Sequence, residues 1–185
     1  MTRKSLATVT KSLGIALREL ANEGVPDSTV RWKYAEFLVA KKLLDLKHPI
    51  KFLSGRKSAD ICLTNTNEQV EVKTCRVKCN KWAYASFGDG NQIKNGKFDY
   101  CVWVVFNEKE IPQCFVFTKK ELAKVKVRRG YGGFKNNCCL LTYATSSEEF
   151  EKWMKENDFQ PFEIERKLIQ NPKRFLEAWD KIPHK

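Results

Sequence analysis

Apolar residues recur at three- and four-residue spacing through Leu6, Val9, Leu13, Ala16, Leu17 and Leu20. That period predicts an amphipathic helix, closed by Gly24 and Pro26. A second helix is expected from Ser28 to about Lys47, where His48-Pro49 stops it. Trp32, Ala35, Val39, Leu43 and Leu46 form one stripe on it, and Tyr34, Phe37, Leu38 and Leu44 populate the other side. A helix apolar on two faces should lie sandwiched in the fold. The period then changes to two. Ala59, Ile61 and Leu63 alternate with Asp60, Cys62 and Thr64, and Val70 and Val72 alternate with Glu71 and Lys73. Asn65-Thr66-Asn67-Glu68 between them is turn chemistry, so the segment reads as a β-hairpin.

A polar loop with Gly88, Gly90 and Gly96 is expected next, and then an uninterrupted apolar run from Tyr100 to Phe106. Such a run fits a strand buried on both faces. Pro112 breaks the chain before a short strand from Cys114 to Phe117, and Thr118 with Glu121 forms a capping-box pattern for a short helix. Ser146 with Glu149 repeats the pattern before a helix to about Lys155, and Asn171-Pro172 can open a last helix through Trp179. Helices, then strands, then mixed elements suggest an α/β or α+β layer structure.

Composition narrows the function classes. At 185 residues the chain is long enough for one domain with a real core. No apolar run approaches the roughly 18 residues of a membrane span, and no h-region follows the first residues, so a cytoplasmic protein is expected. Lys and Arg number 34 against 22 Asp and Glu, a net charge of +12, which makes a polyanion the first partner to consider. Seven cysteines form no CxxC pair and only His48 and His184 could join them, so no zinc site is expected and the thiols read as small core hydrophobes.

The chemistry concentrates in Ala59-Asp60, ten intervening residues, and Glu71-Val72-Lys73. If Ile61, Leu63, Val70 and Val72 face the core, then Asp60, Glu71 and Lys73 share the opposite face. Two carboxylates that converge repel and need a cation or a shared proton. Mg²⁺ takes one or two carboxylates together with waters and phosphate oxygens. An ammonium beside them can orient an attacking water or stabilise charge developing on phosphorus. The set fits metal-dependent phosphodiester hydrolysis.

In these residues the chain resembles the PD-(D/E)XK nuclease superfamily, which includes type II restriction endonucleases and archaeal Holliday-junction resolvases. Ala59 stands at the motif's proline. A helix before the hairpin and a wholly apolar strand after the loop follow the order of that family's core. The resemblance implies an α/β fold, restriction-endonuclease-like, with a mixed central sheet flanked by helices. Carried by Ala59 to Lys73, the resemblance implies one domain over residues 1–185, with a catalytic core at about 28–118 and a C-terminal helical elaboration at about 146–182. It further implies a Mg²⁺-dependent DNA endonuclease, with Mn²⁺ able to substitute, acting on double-stranded DNA. Asp60 and Glu71 would hold the metal with the Val72 carbonyl, and Lys73 would position the water. Glu36, on the second helix, takes the place of a glutamate that assists the metal in many members. Gln92 corresponds to a glutamine used near the site in some branches.

Arg76, Lys78 and Lys81, followed by Trp82 and Tyr84, interleave basic and aromatic residues as a phosphate-lined groove would. Arg128, Arg129 and Tyr131, among Gly130, Gly132 and Gly133, form a cationic loop suited to closing on DNA. A restriction-type homodimer is the first expectation, because two-fold symmetry matches a palindromic duplex. A structure-selective resolvase or repair nuclease, and a non-catalytic nucleic-acid-binding module, are the alternatives.

Overall fold

The computed structural model describes residues 3–24, 28–54, 59–77, 82–89, 96–123, 125, 137–143 and 147–183. Along them run α1 (Arg3–Asn22), α2 (Ser28–Asp45), β1 (Ile50–Phe52), β2 (Ile61–Leu63), β3 (Gln69–Arg76), β4 (Trp82–Asp89), β5 (Tyr100–Phe106) and β6 (Pro112–Thr118). Then come α3 (Lys119–Leu122), β7 (Asn137–Tyr143), α4 (Ser147–Glu156), α5 (Glu163–Gln170) and 3₁₀ turns at Pro172–Arg174 and Trp179–Lys181. Five strands form one sheet in the order β1-β2-β3-β5-β6, while β4 and β7 pair antiparallel as a separate ribbon. Within the five, β3 and β5 are parallel and every other pair is antiparallel. The chain is thus α/β, with a mixed sheet flanked by helices, as the alternation of its sequence periods implies.

Side-chain alternation on β5 gives the sheet two buried faces. Val102, Val104 and Phe106 join Ile61, Leu63, Val70 and Val72 in one core with α1 and α2. Cys101, Trp103 and Val105 join Phe115, Phe117, Leu122, Ile164, Leu168 and Phe175 in a second core. Every residue of β5 is buried, as the apolar run predicts. On α1, Gly14 permits close approach to α2: a Cβ there would stand 3.1 Å from the Tyr34 ring. The residues 175–177 cover the outer edge of β6. The Val116 N–H donates to the Phe175 carbonyl and the Glu177 N–H to the Cys114 carbonyl, both at 2.8 Å, which leaves that edge unavailable for pairing with another chain.

The capping box at Thr118 forms as expected, with the Glu121 N–H donating to Thr118 Oγ1 and the Thr118 N–H to Glu121 Oε2. Several expectations need correction. The polar loop after β3 contains β4, whose partner β7 lies about fifty residues on, beyond the reach of a local pattern. No helix opens at Asn171-Pro172; the backbone makes two 3₁₀ turns there and pairs with β6 between them. The helix of this region is α5, which carries Glu165-Arg166-Lys167, a triplet of the same form as Glu71-Val72-Lys73; Glu165 is fully buried and accepts the Phe162 N–H at 2.7 Å. Cys62 is half-buried and outside both cores, Cys75 is half-buried and packed against the second core, and Cys101 and Cys114 are buried; all four are free thiols.

The largest departure is at the start of α2. Trp32, assigned to the apolar stripe, is 41% exposed, while the neighbouring Arg31 is 9% exposed. Arg31 turns inward because Glu110, itself 1% exposed, awaits it: Nε and Nη2 donate to Glu110 Oε2 and Oε1 at 3.0 and 2.8 Å. A bidentate guanidinium–carboxylate pair holds this register against the hydrophobicity of the indole. Among the described residues, no helix is long and apolar enough to cross a membrane.

Candidate active site

The site is built just before β2 begins, where β3 continues past it. Asp60 extends the β2 ladder by one residue: its N–H donates to the Val70 carbonyl at 3.2 Å and its carbonyl accepts the Leu53 N–H at 2.9 Å. Val72 lies past that ladder, and its N–H has no strand opposite it. A main-chain donor in that position needs a partner, and Asp60 Oδ2 accepts it at 2.7 Å. The N–H and C=O of one strand residue point to the same edge, so the Val72 carbonyl faces the same gap.

Glu71 and Lys73 project from the other face of β3, opposite Cys101 and Trp103 of β5. The parity expected from the sequence holds, but that face is a second packed layer and not a solvated surface: Glu71 is 6% exposed. Lys73 Nζ donates to Glu71 Oε1 at 2.6 Å. Glu36 of α2 is 7% exposed and accepts from Lys33 Nζ at 3.1 Å. Burial pushes the Asp60 carboxyl up to about 6; the charge of Glu71 adds to the rise, the Val72 hydrogen bond opposes it, and Glu36 adds a further increment. Burial also raises the Cys101 thiol, which feels Lys73, Glu71 and Asp60. The thiol is therefore an uncharged floor to the site.

Among the described residues, the carboxylates of Asp60, Glu71 and Glu36 are accompanied by the Lys73 ammonium and the half-exposed Lys33. Burial, and after it the charge of Glu71, raise Asp60, and a hard divalent cation with oxygen ligands would relieve both. The donor set, all carboxylate and carbonyl oxygen, suits Mg²⁺ or Mn²⁺. Among the described residues, no three His, Cys, Asp or Glu side chains are grouped closely enough to hold a metal by themselves. Glu36 therefore stands as an electrostatic neighbour of the Asp60–Glu71 pair.

Of the residues assigned to DNA, Arg76 is described. Its Nη2 donates to the Glu108 carbonyl at 3.1 Å and its Nε lies 3.0 Å from Glu110 Oε1, so its charge is engaged by the β5–β6 turn. Lys78, Lys81, Gln92, Arg128, Arg129 and Tyr131 lie outside the described residues. Sequence reasoning missed three contributors: the Val72 N–H, the Leu53 N–H that pins Asp60 from β1, and Asp99. Asp99 Oδ2 accepts the Gln69 N–H at 2.8 Å and so fixes the start of β3. Only Asp99 left a sequence signal, an acid immediately before the apolar run.

No family model and no curated protein matches the sequence. Among solved structures the fold is similar to that of a bacterial homing endonuclease, I-Ssp6803I, with a TM-score of 0.52 and 16% identity over 84% of this chain and 91% of that one. At such identity the likeness is one of architecture: this chain has a nuclease-like α/β fold.

Proposed function

We propose that this protein is a Mg²⁺-dependent DNA endonuclease of the PD-(D/E)XK type. What supports the reading is the Asp60 carboxylate held on the Val72 N–H at 2.7 Å, beside Glu71 of the same strand, with the Lys73 ammonium 2.6 Å from Glu71. The fold shared with a homing endonuclease supports it, as does the charge of +12.

Asp60 and Glu71, with the Val72 carbonyl, would hold the ion, for which Mn²⁺ would substitute. When bound, such an ion supplies Lewis acidity to the phosphoryl group and a more acidic water. Lys73 orients the nucleophilic water in line with the leaving 3′-oxygen and stabilises the charge that grows on phosphorus. Val72 keeps Asp60 aimed, so the acid arrives pre-oriented. Glu36 holds Lys33 at the rim and biases the pair toward cation binding. A homodimer acting in restriction fashion on a duplex is the first form of this proposal; a structure-selective resolvase or repair nuclease and a non-catalytic nucleic-acid-binding module are its rivals.

Incubation with Mg²⁺ of plasmid, linear duplex and four-way-junction DNA tests the reading. Discrete fragments from duplex support a restriction-type enzyme, and cutting confined to junctions supports a resolvase. Asp60→Ala, Glu71→Ala and Lys73→Ala should each remain folded, retain DNA binding and lose cleavage. Retained binding without cutting by the wild type, across several divalent metals, would leave the binding module instead.

A further inference from the structure

An indole in the open beside a buried acid cluster is the anomaly in this fold. Trp32 is 41% exposed on α2, although its spacing matches the core stripe Ala35, Val39 and Leu43. Its ring carries a cation: Lys33 Nζ lies 3.8 Å from the ring centroid. The same ammonium donates to Glu36 Oε2 at 3.1 Å, and the charge of Glu36 reaches Asp60. Contacts thus run from an exposed aromatic surface, through a half-exposed ammonium, to the buried carboxylate of Glu36. Solvent-exposed tryptophan costs the fold apolar burial, and here a buried Arg31–Glu110 pair enforces that exposure.

We propose that Trp32 and Lys33 form a nucleic-acid contact at the rim of the site, with the indole stacking on a nucleobase outside the duplex stack and Lys33 moving from Glu36 to an adjacent phosphate. This rests on the nuclease reading and names its substrate class: DNA with an unpaired nucleotide near the scissile phosphate. An aromatic face accepts any base, and it does so best when the base is already free of its partner. An ammonium on a flexible stem is suited to exchange a carboxylate for a phosphate, since both are oxyanions. Partner and surface also match in charge: the ring is flanked by a cation in a strongly basic chain. The consequence for Glu36 is direct. As Lys33 leaves, the acid cluster gains negative charge at the moment the backbone arrives, which strengthens its hold on a cation.

The test is binding of two fluorescein-labelled duplexes that differ by a single unpaired nucleotide, measured by anisotropy with Ca²⁺ in place of Mg²⁺. Trp32→Ala should weaken binding of the bulged duplex by about tenfold and leave the fully paired duplex within about twofold, whereas Trp32→Phe should retain most of the affinity. Because the indole is exposed, both variants should melt at the wild-type temperature. Lys33→Ala should weaken both DNAs and flatten the salt dependence. Equal losses for Trp32→Ala on the two duplexes, or no loss on either, would overturn the proposal. Failure of the nuclease reading shows separately, as a wild type that loses bulged-DNA binding with Trp32→Ala yet cuts no DNA with any metal.

Discussion

The Asp60 carboxylate and the Val72 N–H are joined at 2.7 Å, at the point where β2 has yet to begin and β3 runs on beyond their pairing. One hydrogen bond therefore both satisfies an otherwise unpaired strand amide and aims an acid into the fork. The acid itself is strained electrostatically, because burial and the charge of Glu71 hold its pKa near 6.

That strain has a measurable sign. A carboxyl raised above its unfolded value stabilises the fold below about pH 4, and this contribution is lost as pH rises through about 6. Asp60→Asn keeps an oxygen for the Val72 N–H and removes the charge. In EDTA it should be more stable than the wild type at pH 7.5, by up to about 3 kcal/mol, with the difference vanishing near pH 4. Thermal melts of both proteins across that range are the check. Added Mg²⁺ should raise the melting temperature of the wild type and leave the variant unmoved.

Lys73 is expected to act on the transition state and not on binding. Lys73→Ala should lower the cleavage rate by about a hundredfold or more while DNA affinity in Ca²⁺ changes little. Single-turnover cleavage compared with equilibrium binding separates the two effects.

Glu110 draws in guanidinium groups from two elements, Arg31 of α2 and Arg76 of β3. Removing one member of a buried pair leaves the other charged and desolvated. Glu110→Ala should cost about 3–5 kcal/mol, read from urea denaturation. It should also free the start of α2, so that Trp32 fluorescence shifts relative to a Trp32→Phe control.

Phe175 fastens the C-terminal segment. It is fully buried, its ring centroid is 5.0 Å from that of Phe117, and Lys181 Nζ sits 4.3 Å from its own centroid. Phe175→Ala should cost about 3–5 kcal/mol and release residues 175–177 from β6, which hydrogen exchange at Val116 would register as lost protection.

Local patterns made much of this legible. The parity of Ile61, Leu63, Val70 and Val72 correctly separated Asp60, Glu71 and Lys73 from the first core, and the run from Tyr100 to Phe106 correctly announced a strand buried on both sides. What stayed hidden was non-local. The pairing of Trp82 with Tyr143 in β4 and β7 depends on contacts across dozens of residues. The inward turn of Arg31 depends on Glu110, a residue in a distant turn with φ 54°. Hydrophobicity placed Trp32 inside because nothing in its own helix revealed the carboxylate waiting for its neighbour. The second core on the face that Glu71 shares was equally invisible, since it draws on Ile164, Leu168 and Phe175, far along the chain.

The central claim is that Asp60 and Glu71 jointly hold a divalent cation, and Mn²⁺ titration followed by electron paramagnetic resonance tests it most directly. The wild type should take up Mn²⁺ in competition with Mg²⁺, and Asp60→Asn and Glu71→Gln should each lose that uptake while remaining folded. Equal Mn²⁺ binding by the wild type and the Asp60→Asn/Glu71→Gln double variant would contradict it.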